Sequence, residues 1–213
     1  MADNRENPNP IPKVVDGKTI KLRTEDGEIF EVEEAIAMEL QTVKSFFNED
    51  GVSYDTVVPL MNVSSSALAK VIQYCRGAVQ FRAKLAEAID EEGRNEVEKE
   101  RKAFEAEFVN EEFGSGSVES NEWLKELTLA ANYLNIKDML SFLFLTIADR
   151  IKNKSVEYVR AFFGVENDYT PEEEQVIRDE NAWAFENVDP DEDVDAVFLS
   201  ERVFFFFFSR AML

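Results

Sequence analysis

The chain has 213 residues, 45% of them hydrophobic, enough for one substantial domain or a domain with a smaller appendage. Its 23 Lys and Arg face 44 Asp and Glu, a formal charge of −21 that repels phosphate backbones and anionic membrane surfaces and argues against nucleic acid and membrane as partners. It has no histidine and one cysteine, Cys75, which excludes Ser-His-Asp and Cys-His nucleophile systems, imidazole and cysteine zinc sites and an intrachain disulfide.

Residues 1–16, with prolines at 8, 10 and 12, read as a disordered lead, polar and unlike a secretory leader, so the expected location is inside the cell. In KTIKLRTEDGEIFEVEE, Ile20, Leu22, Phe30 and Val32 alternate around Asp26-Gly27, which predicts two antiparallel strands joined by a tight turn. EEAIAMELQ and TVKSFFNED follow as short helices, and VVPLMNV, at 57–63, as a third strand. Ser64, Ser65 and Ser66 offer N-caps to a helix whose Leu68, Val71, Ile72 and Cys75 keep helical spacing up to Gly77, where the helix is expected to end. Cys75 falls on its buried side, as a small core residue. From 78 to 102 charge dominates, a solvated insertion that is helical in part or disordered. AFEAEFV returns to apolar spacing before the GSGS link at 114–117, which lacks the spacing to cradle phosphate.

Ser120 is the expected cap of a helix carrying Leu124, Leu127, Ala131 and Leu134, and Asn135 ends it. The next helix carries a stripe of Ile136, Met139, Leu140, Leu143, Phe144, Ile147 and Ile151, with Phe142 and Leu145 outside it, so it must be covered on more than one side. Ser155 caps a short helix with Val159, Phe162 and Phe163, closed by Gly164. In NDYTPEEEQVIRDENAWAFE, Thr170 and Glu173 form a capping box with Pro171 at the first helical position. Val176, Ile177, Trp183 and Ala184 are then expected on one side of a single helix, a narrow stripe that either caps its own domain or is offered to something else. After Glu186 the sequence turns acidic and then reaches five phenylalanines at 204–208, too few to span a bilayer. Close carboxylate pairs are plentiful, but in so acidic a chain they are solvated helix faces, and acid–base catalysis is given no weight. No cofactor and no metal are expected.

The blocks VPLMNV, LAKVIQYC, NYLNIKDML, TIADRIKNKS and NDYTPEEEQVIRDENAWAFE resemble the S-phase-kinase-associated (Skp) adaptors of SCF ubiquitin ligases, over about residues 17–186. The resemblance implies an α+β chain with a BTB/POZ fold, three short strands wrapped by helices, and a C-terminal helical extension. On this reading residues 17–118 hold the strands and first helices with the acidic insertion at 78–102, residues 119–186 hold the remaining BTB helices and the F-box-binding helices, and 187–213 are an atypical tail. It further implies a non-catalytic adaptor, found in nucleus and cytoplasm, with F-box proteins and a cullin as partners and no small-molecule substrate. Carried over position by position, the F-box-binding residues are Leu124, Phe144, Ile147, Ile151, Val159, Phe162, Tyr169, Val176, Ile177 and Trp183. The cullin-binding residues are Asn132 and Tyr133, with Phe46 and Phe47 in a helix that neighbours them.

The chain also departs from the family pattern. Lys125, in WLKELTLAANYL, replaces an aromatic, Thr128 replaces an isoleucine, and Phe144 and Leu145 are bulkier than the family's residues there. The insertion and the tail are extra. Two readings of the tail stand, one in which it obstructs the receptor site and one in which it trails away. The alternative to an adaptor is a divergent BTB-type interaction protein that binds only one of the two partners.

Overall fold

A computed structural model of the protein describes residues 18–49, 56–114, 116–186 and 188; the lead expected at 1–16 and the phenylalanine run lie outside them. Ile20 and Leu22 alternate with Lys21 and Arg23 to build β1 (Thr19–Arg23), which pairs antiparallel with β2 (Ile29–Glu33), Ile20 opposite Val32 and Leu22 opposite Phe30. The reversal runs through Asp26-Gly27, and Gly27 takes a φ of +86° that a side chain would resist. β3 (Val57–Pro59) lies parallel to the other edge of β1, giving the order β2-β1-β3. Ile20, Leu22, Val32 and Val58 are buried, each contributing roughly 1.5–3 kcal/mol by leaving water.

Helices α1 (Glu34–Ala37) and α2 (Gln41–Glu49) precede β3, and α3 (Ser65–Glu87), α4 (Glu91–Phe113), α5 (Val118–Tyr133), α6 (Lys137–Ile151), α7 (Val156–Phe163) and α8 (Pro171–Glu180) follow it. A 3-10 turn, Ala182–Phe185, comes next. The chain is α+β, as expected. Its described residues divide into two compact units, one up to residue 112 and again over 125–143, the other over 113–124 and from 144 onward, so the boundaries fall at the end of α4 and inside α5 and α6.

In the first unit the hairpin turn is fastened to α3. Asp26 accepts the Ser65 amide at 3.1 Å and the Thr24 hydroxyl, and the Ser65 side chain first, then the Thr24 hydroxyl, hold its carboxyl down at about 2. The Ser64 hydroxyl caps α3 by accepting the Ala67 amide at 3.2 Å. The helix does not end at Gly77. That glycine is buried mid-helix, where an added Cβ would lie 2.8 Å from Phe104 Cζ, so its missing side chain makes room for a ring rather than for a helix stop. Residues 78–102, read from sequence as a solvated insertion, form the later part of α3 and the earlier part of α4. The two helices meet as an antiparallel pair: Lys84 bonds Glu100, Phe81 meets Phe104 at 5.6 Å, Tyr74 meets Phe108 at 6.1 Å, and Lys70 pairs with Glu112. Phe142 joins this cluster, stacked on Tyr74 at 5.6 Å.

The second unit buries Phe113, Leu124, Tyr158, Ala161 and Phe162. Asn121 donates to the Tyr158 hydroxyl at 3.4 Å. The Ser117 hydroxyl, not Ser120, caps the start of α5 by accepting the Ser120 amide at 3.2 Å, and Ser120 itself is buried. At the other end of α5 Asn135 adopts a φ of +53°, the left-handed stop its position foretold.

Candidate protein-interaction surfaces

The second unit builds an apolar face from short, well-capped pieces. The Ser155 hydroxyl accepts the Tyr158 amide at 2.9 Å to start α7, and Gly164, at a φ of +63°, ends it. Tyr158, Ala161 and Phe162 take the inner side, which turns Val156, Val159, Arg160 and Phe163 the other way. The capping box forms as the sequence predicts: the Thr170 hydroxyl accepts the Glu173 amide at 3.3 Å, and the Thr170 amide donates to Glu173 Oε2 at 2.9 Å. The amide first, then the hydroxyl, holds the Glu173 carboxyl below its ordinary range.

α8 stops at Glu180, so Trp183 does not ride on the same helix as Val176 and Ile177. Asn181 leaves helical geometry, and Trp183 is presented on the separate 3-10 turn. Arg178 ties that turn down. Its guanidinium lies 4.8 Å from the Phe185 ring centre, donates to Glu174 at 2.9 Å, and donates to Glu157 on α7. Arg160 reaches the same Glu174 oxygen at 3.3 Å and Asn167 donates to the other at 2.8 Å, so the Glu174 carboxyl is held low, chiefly by Arg178.

Phe144, Tyr169, Val176 and Trp183 are exposed, Trp183 by 75%, while Ile147, Ile151, Val159 and Ile177 are half-buried. Leu124 and Phe162, at 0% and 1%, belong to the core of the unit and back the face from within. Leu145, Val156, Phe163 and Val165 are exposed too, and none of them was among the residues predicted for the site. Val156, Val159 and Phe163 recur at i, i+3 and i+7, a second apolar stripe on α7 that was there to be read. With Val165, Lys154, Ser155 and Arg160 they line an open groove of about 320 Å³.

In the first unit the start of α2, the helix that carries Phe46 and Phe47, is tied to the end of α5, which carries Asn132 and Tyr133. The Thr42 hydroxyl donates to the Tyr133 carbonyl at 2.6 Å and the Thr42 amide reaches the Leu134 carbonyl at 3.5 Å, which pins the start of α2 to the end of α5. Asn132 is exposed there, and Tyr133, Phe46 and Phe47 are half-buried.

The titratable groups of the described residues are arranged for structure. Burial pushes the Cys75 thiol up to about 12, far from a thiolate. Burial raises the Tyr74 phenol and the Glu105 carboxyl as well, and Glu105 is paired with Arg101 at 3.2 Å. Among the described residues no group of acidic or cysteine side chains is placed to hold a metal ion, and no helix is long and apolar enough to cross a membrane.

Residues 18–80 match the family model described as Skp1 family, tetramerisation domain, and residues 137–184 the one described as Skp1 family, dimerisation domain. SKP1-like protein 1A of Arabidopsis thaliana is 47% identical over 169 residues, 79% of this chain and 98% of the relative. SKP1-like protein 20 of Oryza sativa subsp. japonica is 45% identical over 175 residues, 78% of this chain and 94% of the relative. SKP1-like protein 13 of Arabidopsis thaliana is 41% identical over 169 residues, 79% and 99% respectively. The three-stranded sheet with its helices is the BTB/POZ fold that the resemblance implied.

Proposed function

Because the chain belongs to the Skp1 family, we propose that it is a non-catalytic adaptor of an SCF-type ubiquitin ligase, joining an F-box substrate receptor to a cullin in nucleus and cytoplasm. The observation that carries the receptor half is the outward apolar face of the second unit. Trp183, Val176, Tyr169 and Phe144 stand in solvent, and Arg178 and Arg160 with Glu157 and Glu174 tie α7, α8 and the turn that bears Trp183 together. Large aromatics in an apolar surface with a charged rim are the usual anatomy of a protein-binding hot spot. The groups are pre-positioned, so less ordering cost falls on the bound state. The cullin half is supported by the Thr42 clasp, which sets Asn132 and Tyr133 beside the helix of Phe46 and Phe47.

Co-purification of the full chain with a panel of F-box proteins and a cullin tests both halves. The expected result is retention of both, with Trp183→Ala weakening the receptor roughly 30-fold and leaving the cullin untouched. Retention of cullin with no F-box protein would favour an interaction protein with a single connection. If no F-box protein is held and Trp183→Ala changes nothing, the receptor half fails.

A further inference from the structure

The groove on α7 is apolar and has cations among its lining residues. Val156, Val159, Phe163 and Val165 form its floor, and Lys154 and Arg160 stand at its edge. Arg160 is engaged with Glu174, but Lys154 has no carboxylate partner among the described residues and only lies 5.4 Å from the Tyr158 ring centre. At about 320 Å³ the groove sits at the low end of the roughly 300–1,000 Å³ typical of ligand pockets, and it suits an aromatic side chain better than a cofactor. Its occupant should therefore be a segment that is apolar, aromatic and acidic.

The chain itself carries such a segment. Beyond Glu186 come Asp189, Asp191, Glu192, Asp193 and Asp195, then Val197, Phe198 and Leu199, then Phe204 to Phe208. The point from which this segment departs is tied to the groove helix. Arg178 packs on the Phe185 ring and bonds Glu157, which sits on α7 between Val156 and Val159. Phe204 lies 18 positions beyond Glu186 (204 minus 186), and a flexible chain of that length spans on average roughly 20–25 Å. Tethering at such a distance gives an effective concentration in the millimolar range, so weak contacts suffice for occupancy.

We propose that the segment 189–208 of the same chain docks on the α7 groove, a phenylalanine of 204–208 seated against Val156, Val159, Phe163 and Val165 and the acidic run opposite Lys154. Val159 belongs to the face assigned to the F-box receptor, so the docked segment competes with the receptor for that face. This competition, unlike the docking, rests on the receptor role proposed above.

Methyl NMR of the full chain tests the docking directly, because phenylalanine rings over the groove displace the valine methyl signals. The methyls of Val156, Val159 and Val165 should shift when Phe204 to Phe208 are all replaced by Ser, and the shift should not depend on protein concentration. Lys154→Glu in the full chain should move the same signals part of the way. Unchanged methyls in the five-serine variant overturn the docking. A shift that fades on dilution overturns it too, since a second copy would then be the source. Receptor affinity is read separately on the same two proteins. If the segment covers the groove in about nine molecules of ten, its loss should tighten receptor binding about tenfold. Moving methyls with no receptor binding by either protein uphold the docking and sink the receptor role. Still methyls with strong receptor binding do the reverse.

Discussion

The two units of this chain differ in where their clustered aromatic residues stand, although the second also buries Phe113, Tyr158 and Phe162. In the first, Tyr74, Phe81, Phe104 and Phe108 lie against one another across the α3–α4 pair with Phe142 of α6 stacked on Tyr74; Tyr74 and Phe108 are buried and the other three half-buried. In the second, Phe144, Phe163, Tyr169 and Trp183 face out from elements that are individually well capped. An aromatic covered by its own chain contributes to stability, whereas one left in solvent on a rigid support contributes to association. The distinction lies in what stands opposite each ring, which composition does not reveal.

Paired substitutions sharpen this contrast. Phe108→Ala removes a ring that is 2% exposed and should lower stability by about 3–5 kcal/mol in chemical denaturation. Trp183→Ala, by the same measurement, should stay within about 0.5 kcal/mol while receptor binding falls. Equal losses of stability would erase the contrast. Gly77→Ala forces a methyl into the Phe104 ring and should cost about 1–3 kcal/mol, and restoring space with Phe104→Leu should recover part of it. Thr170→Ala deletes one side of the capping box and should cost about 1 kcal/mol by thermal denaturation, with a lesser effect on receptor binding than Trp183→Ala. The smallest effect expected is at Asp26. Its folded carboxyl titrates near 2 against an ordinary 3.8, so its contribution is fully present above about pH 4 and is lost as pH falls toward 2. Asp26→Asn should remove that contribution, lowering stability slightly at neutral pH, flattening that part of the acid limb and leaving behaviour near pH 2 close to the parent's.

Much of this was legible because local chemistry decided it. The Asp26-Gly27 reversal, the Ser64, Ser155 and Thr170 caps, and the stops at Asn135 and Gly164 each depend on a residue whose backbone preference leaves few alternatives. The reading failed where a long-range contact overrode the local signal. Gly77 looked like a terminator because its reason for being a glycine, the Phe104 ring, lies 27 residues away (104 minus 77). The charged stretch after it, read as solvated and helical in part, has no buried residue and is mostly helical, but the ladder of opposed partners along α3 and α4 emerges only once the two helices are laid side by side. At the candidate surface the resemblance named the residues, but it could not separate Leu124 and Phe162, which are core, from Trp183, which is not. It also passed over Phe163 and Val165, whose exposure depends on the direction α7 takes after Ser155.

Arg178 has a consequence for how the outer face responds to its medium. One partly exposed guanidinium fixes the turn that bears the tryptophan, through two glutamates and a phenyl ring. Added electrolyte weakens such a clamp without touching any hydrocarbon, since charges near water are screened over about a nanometre or less at physiological ionic strength. Association through this greasy surface should therefore decline in brine, contrary to what salting-out alone would give, and Arg178→Lys, lacking the planar fork, should already behave like the wild-type chain in high salt.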